Sequence, residues 1–225
     1  MRSLRRFSSS RGQSLVEFTL LLPVVLFLFL GMVEFGFAVS HNTSVETATR
    51  QGARVGSELV DGTNHKGTGG ITAASLGVDD QIIAAVQGVL ISPGSPVKID
   101  QVQTIEIFSA SDTGTVVNGY DDKWVPAYDS TSGKPNGPAI PGSSPTELLS
   151  FKPDPASGNS NGGTWDASIR SGVSTAQSIG VKITYTYKFI TPLGAVMKSV
   201  GKSVFPSGQI TMSDQTIMAM EPPTP

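Results

Sequence analysis

The sequence predicts an α+β protein, with one long N-terminal helix followed by a β-rich remainder. Three observations predict it. From Leu15 to Val39 the chain is apolar except for Glu17, Thr19 and Glu34. Val45, Ala48, Gly52, Val55 and Leu59 then continue at three- and four-residue steps, the spacing of one helix face. In VKITYTYKFI, residues 181–190, Val181, Ile183, Tyr185, Tyr187 and Phe189 alternate with Lys182, Thr184, Thr186 and Lys188, the period of a half-buried strand.

As a helix, the run from Leu15 to Val39 is about 37 Å long at a rise of about 1.5 Å per residue, enough to cross a hydrocarbon core of about 30 Å. Of the 16 basic residues, Arg2, Arg5, Arg6 and Arg11 precede it, leaving 12 basic against 18 acidic residues in the rest. The positive-inside rule therefore keeps the head in the cytoplasm and exports everything after about residue 40. A cleaved signal peptide is one reading, since Gly36-Phe37-Ala38 offers small residues for cutting. The run is long for that role, and Glu34 sits close to the cut. A plain single-pass anchor is a second reading, but it leaves Glu17 unexplained. A carboxylate within a span disfavours insertion by about 2.5–3.5 kcal/mol on lenient scales.

The helix is expected to reach residue 62, where Gly62 provides a C-cap, with Arg50 and Arg54 on a solvated face. Residues 63–78 read as a linker. A second helix follows over 78–90, capped by Asp79 and burying Ile82, Ile83, Val86 and Leu90. Residues 79–225 form the extracytoplasmic domain. VKIDQVQTIEIF, residues 97–108, is expected to pair with the 181–190 strand. QITMSDQTIMAM, residues 209–220, gives a third strand with Ile210, Met212, Met218 and Met220 on one face. Thr191-Pro192 is a good start for a short helix over 192–203. Residues 129–163 are dominated by Gly, Pro, Ser and Asn and read as a long flexible insertion, with Trp124, Tyr128 and Trp165 as core or loop-clamping aromatics.

No residues can be nominated for catalysis, and the chain is not expected to be an enzyme. With no cysteine and only His41 and His65, both read as exposed, a thiolate or histidine-rich metal site is excluded. No phosphate loop or GxSxG elbow is present, and the aspartates lack calcium-loop spacing and read as solvated. Asp166-Ala167-Ser168-Ile169-Arg170 fails the third position of a DxSxS metal motif. The expectation is no cofactor, no metal, no small-molecule substrate and, for a body without a clustered basic face, no nucleic acid.

A third reading of the N-terminus uses all its parts. A basic head, Gly12, Gln13-Ser14-Leu15-Val16-Glu17-Phe18 and a long apolar helix resemble the type IV prepilin processing signal. With Pro23, Glu34 and the downstream ATRQGARVG carrying Arg50, Gly52, Ala53 and Arg54, residues 11 to about 57 are similar to the TadE-like family of Tad (tight adherence) pilus-assembly systems. The resemblance implies a minor pilin or pseudopilin with a pilin-like fold, the helix laid on a small antiparallel sheet. It implies that residues 1–12 are a leader cut off by a prepilin peptidase between Gly12 and Gln13, with the helix kept as the anchor in the cytoplasmic membrane. Glu17 and Phe18 would then serve assembly and register, and Pro23, Glu34, Arg50 and Arg54 helix packing. The implied partners are the membrane, the peptidase and other pilins. The competing function is an anchored extracytoplasmic binding module that uses the 129–163 loop.

Overall fold

The computed structural model describes residues 10–59, 77–111, 113–140, 147–154, 165, 178–200 and 208–220. These contain helices α1 (Ser10–Glu58), α2 (Val78–Leu90) and α3 (Leu193–Val200), and strands β1 (Val102–Ala110), β2 (Val116–Pro126), β3 (Phe151–Pro153), β4 (Ser178–Lys188) and β5 (Gln209–Ala219). The strands form one sheet in the order β3-β2-β1-β4-β5, so the fold is α+β. The chain divides into two compact units. One comprises Met1–Val39 with Lys188–Gln209, the other Ser40–Tyr187 with Ile210–Pro225.

In the second unit the buried stripe of α1 is His41, Val45, Ala48, Thr49, Gly52, Ala53 and Gly56. The expected stripe is thus rotated, and Val55 and Leu59 are only half-buried. The small side chains explain the rotation, because they let α2 and the sheet come close. A Cβ on Gly52 would lie 2.6 Å from Val86 Cγ2, and one on Gly56 would lie 2.6 Å from Ile179 Cδ1. The two positions should respond differently. Gly→Ala gains about 1 kcal/mol of helix propensity at either site. At 52 it meets a stiff β-branched side chain, and overpacking of about 1–3 kcal/mol outweighs the gain. At 56 the obstacles are the swinging Cδ1 ends of Ile179 and Ile82. Gly52→Ala should therefore lower the urea midpoint of the full chain in detergent, while Gly56→Ala leaves it nearly unchanged.

α1 stops at Glu58, short of the expected Gly62, which lies outside the described residues, as do residues 63–76 of the linker and His65. The linker in any case ends earlier than 78, since Val78 already belongs to α2. α2 buries Ile82, Ile83, Val86 and Leu90 as expected. Asp79 is not its cap: Gly77 holds that position, and Asp79 sits buried in the first turn. The buried Gln87 accepts the Ser150 N–H at 2.7 Å and ties α2 to the stretch before β3.

β1 pairs antiparallel with both β2 and β4. Its expected N-terminal part is instead a 3₁₀ turn over Ile99–Gln101. One sheet face carries Ile105, Ile107, Trp124, Val181, Ile183 and Tyr185, all buried. Each fully buried large apolar side chain of this kind contributes about 1.5–3 kcal/mol. On the other face Glu106 stands opposite both Lys123 and Lys182, with ion pairs at 3.9 and 3.4 Å. The Lys123 ammonium donates to Asp121 at 3.1 Å, which raises the Lys123 pKa, and the Asp121 and Glu106 charges add to the shift. β5 keeps Ile210, Met212 and Met218 only half-buried, with Met220 buried just past its end. Burial, reinforced by the Asp214 charge, pushes the Tyr185 phenol up to about 12.

The stretch 129–163 is not one open loop. Tyr128 bridges Pro135, Ala139 bridges Leu148, and β3 joins β2 at the sheet margin. Asp129 Oδ1 accepts the Thr131 and Ser132 N–H groups at 2.9 and 2.6 Å, which lowers its pKa and shapes a turn closed by Gly133 at φ +65°. Residues 141–146 and 155–163 of the expected insertion lie outside the described residues. Trp124 and Trp165 are core residues, whereas Tyr128 stays partly exposed.

Candidate functional site

The first unit holds the residues singled out in the N-terminal run. α1 passes through Pro23 without a break. Residues 12–29 are exposed throughout, with Leu15, Phe18, Leu20 and Leu28 each more than 60% open. A helix this apolar and this uncovered is one that could cross a membrane by length and composition. Gly12 and Gln13 are accessible at its start. Gln13 Nε2 donates to Glu17 Oε1 at 3.0 Å, one turn along the helix. Glu17 and Phe18 are thus presented on the open surface.

Glu34 is different. It is 3% exposed, and its two oxygens accept the backbone N–H groups of Ile190 and Thr191 at 3.0 and 2.9 Å. Those amides open the turn between β4 and α3. Charge-assisted bonds of this length are about twice as strong as neutral ones. The turn is completed by Thr191 Oγ1, which accepts the Leu193 N–H at 3.3 Å and starts α3 as the Thr-Pro pair leads one to expect. The expected extension of this helix to residue 203 lies outside the described residues. Sequence reasoning placed Glu34 in helix packing only; its partners are 156 and 157 residues away. The one local signal was a carboxylate in an apolar run.

Arg50 and Arg54 belong to the second unit. Both are solvent-exposed, and each pairs one turn along α1, Arg50 with Glu46 and Arg54 with Glu58 at 3.0 Å. Exposed pairs of this type contribute a few tenths of a kcal/mol. Beside them Thr49, fully buried, lies 3.0 Å from Asp214 Oδ2 and 2.9 Å from Thr216 Oγ1, which fastens α1 to β5.

Two expectations are corrected here. His41 is buried, set edge-on against Tyr187 with ring centroids 5.1 Å apart. Asp79 and Asp122 are buried rather than solvated, and Asp122 Oδ1 accepts the Trp165 N–H at 3.3 Å. Among the described residues no three His, Asp or Glu side chains gather as a metal site.

Neither a curated protein nor a solved structure matches the chain. Residues 12–54, the stretch that carries Gly12, Glu17, Pro23, Glu34, Arg50 and Arg54, do match the model of the family described as TadE-like protein.

Proposed function

We propose that the chain is a minor pilin or pseudopilin, a structural component of a Tad-type pilus or secretion system. Residues 1–12 are a leader removed by a prepilin peptidase on the cytoplasmic side. The apolar half of α1 is retained, first as a single-pass anchor with its N-terminus inside and the domain outside, then as a packing surface among other pilins during adherence. The chain binds and assembles, and does not catalyse. The observation that carries this reading is the TadE-like match over a helix whose residues 12–29 are exposed throughout.

Glu17 has a specific part in it. After cleavage Gln13 supplies a new α-amino group, and the Glu17 carboxylate of one helix can pair with that amine on its neighbour. A charge taken out of water is tolerated when paired and strongly destabilising when alone, so the pair acts as a register device. Until assembly, Gln13 Nε2 occupies the carboxylate.

Intact mass and N-terminal sequencing of the chain from its own host test the proposal. The expected mature start is Gln13, seen only when the peptidase is present. In cleaved protein, Glu17→Gln should leave processing intact and abolish incorporation into fibres. An uncut N-terminus would leave an ordinary anchor, and a start near Val39 would mean a secreted protein and end the filament reading.

A further inference from the structure

We propose that the β4–α3 turn and helix α3 lie on the phospholipid surface, as a second membrane contact beside the spanning half of α1. The inference rests on the membrane-spanning reading of that helix and adds a site to it.

Depth is the first argument. Glu34 follows Glu17 by about 25 Å at a rise of about 1.5 Å per residue, close to the thickness of a hydrocarbon core of about 30 Å. Glu34 therefore stands near the outer boundary of the span. It holds Ile190 and Thr191 at that level through two hydrogen bonds. The exposed faces of this segment thus continue the lipid-facing surface of α1, whose Phe35 is 71% open at the same level.

The second argument is what the segment exposes. Ile190 is 57% exposed and Val196 44%, while Leu193 is buried. Two large aliphatic side chains open on one short stretch are unfavourable in water, and favourable at the headgroup–acyl boundary. Lys188 and Lys198 are exposed beside them.

Charge is the third. Residues 188–209 contain Lys188, Lys198 and Lys202 and no acid, within a chain that is otherwise acidic beyond residue 12. Glu34, which holds this segment, is buried with both oxygens engaged. A small cationic, aliphatic surface at the end of a membrane span is complementary to a bilayer with acidic phospholipid headgroups. In such a seat Glu34 fixes how far the helix can sink, because lowering it would carry Lys188 and Lys198 into the hydrocarbon.

The chain has no cysteine, which allows a clean test. The full chain carrying Ile190→Cys, Val196→Cys or Val25→Cys is labelled with a polarity-sensitive fluorophore. Each is reconstituted into vesicles of neutral and acidic phospholipid, with lipids brominated either near the headgroup or deep in the acyl chain. The expected result is a blue shift at 190 and 196, emission lost to the shallow quencher, and protection from aqueous iodide; Val25→Cys should be quenched most by the deep lipid. Iodide quenching at 190 and 196 with no lipid quenching, while Val25→Cys is quenched deeply, would overturn the surface seat and leave the span intact. A blue shift that grows with the protein-to-lipid ratio and ignores both brominated lipids would overturn it in favour of a second copy of the chain. If Val25→Cys is not quenched by either lipid, the spanning reading and the seat fall together.

Discussion

Replacing Glu34 with alanine is expected to loosen the Ile190–Thr191 turn by about 3 kcal/mol. The carboxylate is 3% exposed and accepts two backbone N–H groups at 3.0 and 2.9 Å. Alanine leaves both donors without their acceptor, and an unmet buried donor costs about 1–3 kcal/mol. Water can reach the turn from one side in a detergent micelle, which reduces the loss there; in a bilayer the full effect should appear. Glu34→Gln keeps one acceptor oxygen and should lose about half as much. The measurement is amide hydrogen exchange on the full chain in a bilayer. Since about 1.4 kcal/mol is a factor of ten, protection at Ile190 and Thr191 should fall roughly a hundredfold in Glu34→Ala. The Ser150 amide, held by Gln87 in the other unit, should keep its protection. Unchanged exchange at 190 and 191 would show that the carboxylate does not hold the turn.

The pattern of what could be read from the sequence follows from which interactions are local. β4 was legible because Val181, Ile183, Tyr185 and Tyr187 bury one face and the polar residues between them do not. α2 was legible for the same reason at helical period. β2 was missed entirely. Its sequence, VVNGYDDKWVP, puts an aspartate at an inward position, and the buried Asp122 accepts the Trp165 N–H, 43 residues on. β3 was hidden within a stretch whose Gly, Pro and Ser content signals loop; three residues are too few to show alternation. His41 was read as exposed because its neighbours on the chain are polar, yet Tyr187 covers it.

The candidate site divides along the same line. Gly12, Gln13 and Glu17 could be singled out because the signal they resemble lies in spacing along one helix, and the TadE-like match runs through that stretch. Glu34 was noticed but its role was not, since the amides it caps belong to a turn 156 and 157 residues further along the chain. Arg50 and Arg54 share a solvated face as expected, and their partners are the helix's own Glu46 and Glu58. A motif can flag such residues without stating what they hold.

The largest effect in the sheet is expected where Phe108 lies over Gly180. The two are cross-strand partners between β1 and β4, and Phe108 is fully buried. A Cβ on Gly180 would come within 2.3 Å of the ring, with three ring atoms under 3.0 Å. The ring cannot step aside as a flexible end could, so Gly180→Val forces either a shifted strand or an off-rotamer phenylalanine; overpacking of this kind costs about 1–3 kcal/mol, and the upper end applies here. Phe108→Ala opens a cavity instead and should cost about 3–5 kcal/mol. The two losses should not add. With the ring gone, the valine side chain occupies part of the space it vacates, so Phe108→Ala/Gly180→Val is expected to be less destabilised than the sum of the singles by about 1–2 kcal/mol, a coupling typical of residues in contact. Urea unfolding of the four full-length proteins in the same detergent, followed by tryptophan fluorescence, closes the cycle, since Trp124 on β2 flanks β1 on its other side. Strict additivity would mean that the two residues do not share the space the structure gives them, and that the close approach of β4 to the ring is not what requires glycine at 180.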